Sequence, residues 1–224
     1  MSLIKEKNVV KRRSKGEQTR NQILNAAIEV LAANGIKGTT HRAIANQAQL
    51  QLSLTTYYFK DIQELVHEAF LLSSNRTLEK ARLAWLQIFE LLDSYTKTQL
   101  KKGSIRRELA DTLSKIATDY LINKLKENPV DLAVEQFLFT EVQVSPALRQ
   151  LATSHRDTLI APFERLCGYF SPETATIDAD ILLTVFTQLE YRNLVAPKAV
   201  DVDYIYSIVE RLLMAVLRVK RKSD

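Results

Sequence analysis

Apolar residues recur along most of the chain at the three- and four-residue intervals of amphipathic helices. The first such stripe is formed by Ile23, Ala27, Val30 and Leu31. Alternating runs of β-branched residues are lacking, and the 224 residues include only 5 Gly and 5 Pro. The pattern therefore predicts an all-α protein with short loops.

Start and stop signals divide this pattern into helices. Ser14 and Glu17 have the spacing of a capping box, and Asn34-Gly35 is a typical helix end, so the first helix is predicted between them. Asp61 is placed to cap a helix that runs to about residue 74. Gly and Pro stops, with Asp178 and Asp201 as caps, predict further helices over residues 76–100, 104–127, 130–144, 146–169, 178–195 and 201–220.

Two short helices joined by a tight turn are predicted between residues 39 and 59. Thr39 or Thr40 can cap the first of them. Gln49-Leu50-Gln51 forms the turn, and the second helix extends from about Leu52 to Phe59. This is the spacing of a helix-turn-helix, whose second helix lies in the DNA major groove. A small helical subdomain without a DNA partner is the alternative.

Charge is distributed unevenly along the chain, whose overall net charge is +5. Residues 1–60 carry ten Lys or Arg and three acids, a net charge of +7, whereas residues 61–224 carry a net charge of −2. A basic N-terminal quarter favours a polyanionic partner, although a solvated basic tail would have the same composition.

Five segments in the N-terminal part of the chain share a recognisable order and spacing. They are Thr19-Arg20-Asn21-Gln22-Ile23-Leu24-Asn25-Ala26-Ala27, Asn34-Gly35, Thr39-Thr40-His41-Arg42-Ala43-Ile44-Ala45, Thr56-Tyr57-Tyr58-Phe59 and Glu64-Leu65. Together they resemble the N-terminal domain of the tetracycline-repressor (TetR) family. The resemblance implies a bacterial, all-helical, dimeric regulator, mostly repressive, with a variable C-terminal ligand-binding domain. It divides the chain into a basic flexible arm (1–15), a helix-turn-helix domain (16–62) and a ligand-binding and dimerisation domain (63–224).

Three positions depart from the family pattern. Gln49 stands where the turn usually has Gly, and Gln adopts a positive φ there at a cost of roughly 1 kcal/mol. Ser53 replaces a Gly near the start of the recognition helix, and Ile62 replaces a Lys. Lys60 is then the candidate to reach a phosphate.

The candidate DNA contacts follow from side-chain chemistry and from the matched positions. Arg42 is suited to guanine, whereas Leu54, Thr56 and Tyr57 suit thymine methyl groups or sugars. Hydroxyl groups and cations bind phosphate, although Tyr58 fits the core equally well. The basic arm fits the minor groove or the phosphate backbone. The predicted set is Lys11, Arg12, Arg13, Thr39, Thr40, Arg42, Leu52, Ser53, Leu54, Thr56, Tyr57, Tyr58 and Lys60.

The last two predicted helices carry more apolar residues than one packing face needs, which favours a four-helix bundle between two copies, although a buried helix in a monomer is the alternative. The predicted dimer interface comprises Leu182, Val185, Phe186, Leu189, Val209, Leu212, Leu213 and Val216. A twofold dimer presents two recognition helices to a palindromic operator in double-stranded DNA.

The middle helices are expected to enclose a site for a small-molecule effector, because pockets combine apolar walls with a few polar groups. The same aromatic residues also suit an ordinary core. The candidates are Trp85, Phe89, Tyr95, Tyr120, Phe137, Glu141, Gln188 and Arg192.

Catalysis, metals and membranes find little support in the sequence. The three histidines are far apart without metal-ligand spacing, no nucleophile elbow or phosphate loop occurs, and Cys167 is the only cysteine. Neither a signal peptide nor an apolar run of membrane-spanning length is evident. We therefore expect a cytoplasmic, non-enzymatic DNA-binding regulator without cofactor. The alternative is a protein of the same fold whose C-terminal domain binds a protein partner or no ligand.

Overall fold

A computed structural model of the chain describes residues 2–140, 146–195 and 200–219. Within these ranges all regular structure is helical, which confirms the predicted all-α class. The helices are α1 (Ser2–Gly38), α2 (His41–Gln47), α3 (Leu52–Tyr58), α4 (Ile62–Asp93), α5 (Gly103–Glu127), α6 (Pro129–Thr140), α7 (Pro146–Gly168), α8 (Ala175–Val195) and α9 (Val202–Val216). Short 3₁₀ turns at Gln99–Lys101 and Pro172–Thr174 precede α5 and α8.

Three predicted helix caps are present. The Thr40 hydroxyl accepts a hydrogen bond from the Ala43 N–H (3.1 Å) at the start of α2. The Asp61 carboxylate accepts from the Glu64 N–H (2.9 Å) at the start of α4, and Asp201 accepts from the Tyr204 N–H (2.9 Å) at the start of α9. Each bond satisfies a backbone donor that has no partner within the helix.

Helix boundaries that rested on weaker signals were predicted wrongly. The backbone of α1 is helical from Ser2, so this helix begins before the predicted start at Ser14. Helix α4 continues past residue 74 to Asp93, because no Gly or Pro interrupts it. Helix α8 starts at Ala175, and Asp178 does not cap it. Asp178 instead accepts from the Thr174 hydroxyl (2.7 Å).

The chain forms two compact units. The N-terminal unit comprises Met1–Asn75 and Ala133–Leu151, and the C-terminal unit comprises Arg76–Leu132 and Ala152–Asp224. The largest fully buried side chains of the N-terminal unit are Ile23, Leu31, Ile44, Phe59, Leu65, Phe70 and Leu138. Within it, α1 bends at Gly35, whose φ of 65° is easily reached only by glycine. The helix that was predicted to end at Gly35 is therefore interrupted there by a kink and continues to Gly38.

The C-terminal unit has its own core, in which α5 packs against α8 and α9. Arg106 on α5 joins three segments by donating to the carbonyls of Leu100 (2.6 Å), Leu217 (3.0 Å) and Phe170 (3.4 Å). Within the described ranges, no helix combines the length and the apolarity that a membrane span requires.

Candidate nucleic-acid interface

The turn between α2 and α3 is closed by backbone hydrogen bonds. The Leu50 N–H donates to the Ala45 carbonyl (2.9 Å) and the Gln49 N–H to the Asn46 carbonyl (3.1 Å). These two bonds form a Schellman motif, which places the residue after the helix cap in the left-handed region. Gln49 occupies this position with a φ of 55°, as predicted for a position where the family usually has Gly.

Buried side chains and contacts from α1 hold α2 and α3 in place within the N-terminal unit. Thr55 is fully buried, and its hydroxyl donates to the Leu52 carbonyl (2.8 Å). Phe59, 1% exposed, ends α3, and the Arg20 guanidinium lies 5.0 Å from its ring centroid. The Gln22 amide donates to the Ala48 carbonyl (2.8 Å), so α1 also fixes the turn. One face of α3 is thereby anchored, and the opposite face is left to solvent.

The solvent face of α3 carries apolar and aromatic side chains. Leu52 is 43% exposed and Tyr57 is 79% exposed, whereas Leu54 is half-buried. The Tyr57 and Tyr58 rings meet edge to face at a centroid distance of 5.1 Å, which limits the orientations of Tyr57. Tyr58 is half-buried, between the two roles considered for it.

Polar candidates surround this face. Arg42 on α2 is exposed, and so are Ser53, Thr56 and Lys60. Thr40 is also exposed while its oxygen caps α2. These exposed groups of the N-terminal unit are donors of the kinds that contact phosphates and base edges.

One predicted phosphate contact is corrected by the structure. Thr39 is buried, and its hydroxyl donates to the Gly35 carbonyl (2.8 Å). Its side chain therefore stabilises the kink of α1 instead of facing a partner. The side chains of Lys11, Arg12 and Arg13 lie outside the described part of the structure.

The start of α4 fixes Lys60 beside the recognition helix. The Lys60 N–H donates to the Glu64 carboxylate (2.6 Å), while the Glu64 N–H donates to Asp61 (2.9 Å). This reciprocal arrangement resembles a capping box. Glu68, one turn further, forms an ion pair with Arg20 (3.1 Å), so α1 and α4 are also joined.

A second candidate site is a cleft of about 460 Å³ in the C-terminal unit. Side chains of α4, α5 and α6 line it, with Leu83, Ala84, Ile116 and Leu132 as apolar members. Its polar and aromatic lining comprises Thr77, Lys80, Gln87, Asp119, Tyr120, Asn123, Lys124, Glu127, Asn128 and Asp131. Sequence reasoning missed all of these except Tyr120, because exposed polar positions of helices look alike in sequence.

The other predicted pocket residues lie elsewhere. Trp85, Phe89 and Tyr95 pack against the core of the C-terminal unit, where Trp85 meets Phe163 edge to face at 4.8 Å. Phe137 belongs to the N-terminal unit and lies beside Gly35. Gln188 and Arg192 are exposed. Glu141 lies outside the described residues.

Most predicted dimer contacts are core residues of a single chain. Six of the eight are buried, namely Leu182, Phe186, Leu189, Val209, Leu213 and Val216, and the half-buried Val185 and Leu212 pack against the same core. A buried side chain has no surface left to cover with a second copy, so these six are corrected to core. The exposed apolar residues of α8 and α9 are Ile177, Ile181, Val202 and Tyr204.

A buried ion pair lies beside the cleft. The Lys124 ammonium on α5 is 2.7 Å from the Glu190 carboxylate on α8, and the two side chains are 8% and 7% exposed. Buried charges are tolerated when they are paired in this way, but each becomes costly once its partner is removed.

The fold and the exposed α3 define an all-helical protein with an N-terminal helix-turn-helix. Residues 23–69 match the model of a family described as bacterial regulatory proteins, tetR family. The helix-turn-helix segment thus matches the tetR family model, as the sequence motifs predicted. No curated protein matches the chain.

Solved structures extend the likeness to almost the whole chain. A protein from Pseudomonas aeruginosa PAO1 assigned as a transcriptional regulator is 16% identical, with a TM-score of 0.66 over 90% of this chain and 91% of that one. A protein from Mesorhizobium loti MAFF303099 assigned to the TetR family is 13% identical, with a TM-score of 0.62 over 91% and 97%. The multidrug binding protein EbrR, complexed with imidazole, is 22% identical, with a TM-score of 0.52 over 86% and 93%. The chain shares the fold of these three proteins over most of its length.

Proposed function

We propose that the protein is a cytoplasmic, sequence-specific transcriptional repressor that binds a palindromic operator as a homodimer and leaves it when a small amphipathic ligand binds. The observation that carries DNA binding is the outer face of α3, where Leu52 and Tyr57 are exposed beside Arg42 and Lys60. An element anchored on one face and apolar on the other is built for contact with a partner.

DNA binding is tested by selecting bound duplexes from a random library with the full-length protein. We expect recovery of palindromes whose half-sites are about one helical turn apart. Arg42→Ala is expected to relax the preference at one base pair of each half-site, whereas Lys60→Ala weakens all duplexes alike. Recovery of no preferred sequence by the folded wild-type protein would reject the proposal.

Dimerisation is supported by the exposed apolar groups on the last two helices. Ile177 and Ile181 lie on one stripe of α8, and Val202 and Tyr204 lie at the start of α9. Ile181→Glu is expected to shift the sedimentation coefficient from that of a dimer to that of a monomer, because the variant places a charge on the apolar surface that the second copy would cover. Thr98→Glu, exposed but outside α8 and α9, is the control for charge alone.

Ligand release is supported by the cleft between α4, α5 and α6. Its volume of about 460 Å³ suits a small organic molecule, and its mixed lining favours an amphipathic one. EbrR, which shares the fold, is described as a multidrug binding protein. A cleft of this kind favours a small-molecule effector over the version of the protein whose C-terminal domain binds no ligand.

Filling the cleft tests this role without knowledge of the natural effector. A panel of amphipathic dyes is screened for release of the selected duplex, and the most active dye is then used with two variants. Ala84→Trp, which fills the cleft, is expected to abolish release while leaving DNA affinity unchanged. Leu86→Trp, exposed on α4 and outside the cleft, is expected to respond as the wild type does. Equal release from both variants would contradict the cleft as the effector site.

A further inference from the structure

The recognition helix contains no side chain suited to a paired hydrogen bond with a purine. Its seven residues, Leu52–Tyr58, include no Lys, Arg, His, Asp, Glu, Asn or Gln. The bidentate contacts that distinguish guanine and adenine in the major groove come from Arg, Lys, Asn and Gln. Base recognition by α3 must therefore rest on other groups.

Hydroxyl donors of α3 are partly committed to the helix itself. Thr55 is buried and donates to the Leu52 carbonyl (2.8 Å), and Thr56 donates to the Ser53 carbonyl (3.2 Å). Ser53 and Tyr57 remain as exposed hydroxyls. A single hydroxyl both donates and accepts, so it discriminates poorly between bases.

What α3 does present to a groove is apolar surface. Leu52 is 43% exposed, Leu54 is half-buried, and the Tyr57 ring is exposed and held edge to face by Tyr58. In the major groove, the 5-methyl group of thymine is the apolar group that distinguishes a T·A pair from the other base pairs. The side chains of α3 and this methyl group are chemically complementary.

We propose that the operator half-site is read chiefly through thymine 5-methyl groups, which Leu52, Leu54 and Tyr57 contact, with Arg42 on α2 as the guanine-reading group. This inference rests on the proposed DNA-binding function and specifies which chemical groups carry the sequence preference. It predicts that each half-site contains thymines at the positions that α3 contacts. At these positions the methyl group should contribute more to the binding affinity than the hydrogen-bonding groups of the base pair.

Replacing thymine by deoxyuridine tests the proposal, because uracil keeps every hydrogen-bonding group and lacks only the methyl. The full-length protein is titrated with the selected duplex and with duplexes in which each thymine is replaced in turn. Loss of one buried methyl contact is expected to weaken binding about fourfold at the critical positions and not elsewhere. Replacing the critical T·A pair by a pair of 5-methylcytosine with guanine is expected to bind more tightly than the unmethylated C·G pair, because it restores the methyl.

Protein variants assign the methyl contacts to particular side chains. Leu52→Ala and Leu54→Ala are expected to weaken binding to the thymine duplex but to remove the difference between thymine and uracil at one position each. Lys60→Ala, which lacks only a phosphate contact, is expected to weaken both duplexes equally. The more exposed Leu52 provides the assignment if the half-buried Leu54 variant does not fold, as judged by circular dichroism.

The outcomes separate this inference from the proposed function. Selection of a specific duplex that binds equally well with thymine or uracil at every position overturns methyl recognition and leaves DNA binding intact. Survival of the difference between thymine and uracil at every critical position in Leu52→Ala, Leu54→Ala and Tyr57→Ala also overturns it. Failure to select any duplex rejects the underlying DNA-binding function.

Discussion

The two compact units use polar side chains in opposite ways. In the N-terminal unit the charged groups beside α3, Arg42 and Lys60, are exposed, and the anchored side of the helix is closed by Phe59. In the C-terminal unit a Lys124–Glu190 pair lies in the interior, joining α5 to α8. In the first arrangement the charged groups are available to a partner, whereas in the second the stability of the fold depends on them. Substitutions in the two units should therefore differ in what they damage.

The largest expected effect is on the buried pair. Glu190→Ala removes the carboxylate that lies 2.7 Å from the buried Lys124 ammonium and is expected to lower the free energy of unfolding by about 3–5 kcal/mol. Urea denaturation followed by circular dichroism measures it. Glu127→Ala, which removes an exposed carboxylate at the end of α5, is the control and should change stability little. The double variant Lys124→Met with Glu190→Leu is expected to recover most of the loss; an equal loss in Glu127→Ala would contradict a special role for burial.

The recognition face should show the reverse behaviour. Tyr57→Ala is expected to weaken operator binding by about tenfold while changing the free energy of unfolding by less than about 0.5 kcal/mol, because the side chain is exposed. Phe59→Ala, two residues away and buried, is expected to cost about 3–5 kcal/mol of stability. Fluorescence anisotropy and urea titration of both variants measure the contrast. Unfolding of the Tyr57 variant would place that ring in the core.

A smaller effect is expected at the turn. Gln49→Gly removes the strain of a positive φ, roughly 1 kcal/mol, and is expected to raise the melting temperature slightly, with a net gain of up to about 0.5 kcal/mol once the greater freedom of unfolded glycine is counted. Gln51→Gly is the matched control, since Gln51 has a φ of −67° and gains nothing from glycine. Differential scanning calorimetry distinguishes the two; a loss of stability in both would exclude strain at Gln49.

A last prediction, which alters neither stability nor DNA binding, concerns the one thiol. Burial, together with the nearby Asp178 and Glu164 carboxylates, raises the pKa of Cys167 to about 12. Because a raised pKa keeps the thiol protonated, the reactive thiolate stays scarce until the pH approaches that value. At pH 8 we expect reaction with a thiol reagent to be roughly a thousandfold slower in the folded than in the urea-unfolded protein. Equal rates in both states would contradict the burial of this side chain.

Sequence reasoning succeeded where local chemistry decides the outcome. The caps at Thr40, Asp61 and Asp201 and the positive φ of Gln49 follow from interactions within a few residues, and each is present. Likewise, α5, α6 and α7 begin at Gly103, Pro129 and Pro146, at or beside the predicted stops. The same locality explains why the helix-turn-helix was recognisable.

Two properties of the long helices were predicted poorly, namely which of their side chains are buried and where each helix ends. Both depend on packing against residues that are distant in sequence. Helix α8 carries apolar residues around most of its circumference, so the sequence did not show that Leu182 is core while Ile181 is exposed. Thr39 and Thr40 are equivalent caps in sequence, and only the kink at Gly35 buries the first of them. The cleft lining, apart from Tyr120, is recognisable only once α4, α5 and α6 are packed together.

The composition of α3 has a consequence for how the proposed operator recognition responds to ionic strength. Phosphate contacts made by lysine and arginine weaken as the salt concentration rises, because the release of condensed counterions from the DNA then contributes less free energy to binding. Contacts between leucine side chains and thymine methyl groups involve no counterion. As potassium accumulates, binding to random DNA should therefore fall faster than the preference among sequences. A recognition helix without ionic side chains would keep its selectivity through osmotic stress, when overall affinity declines.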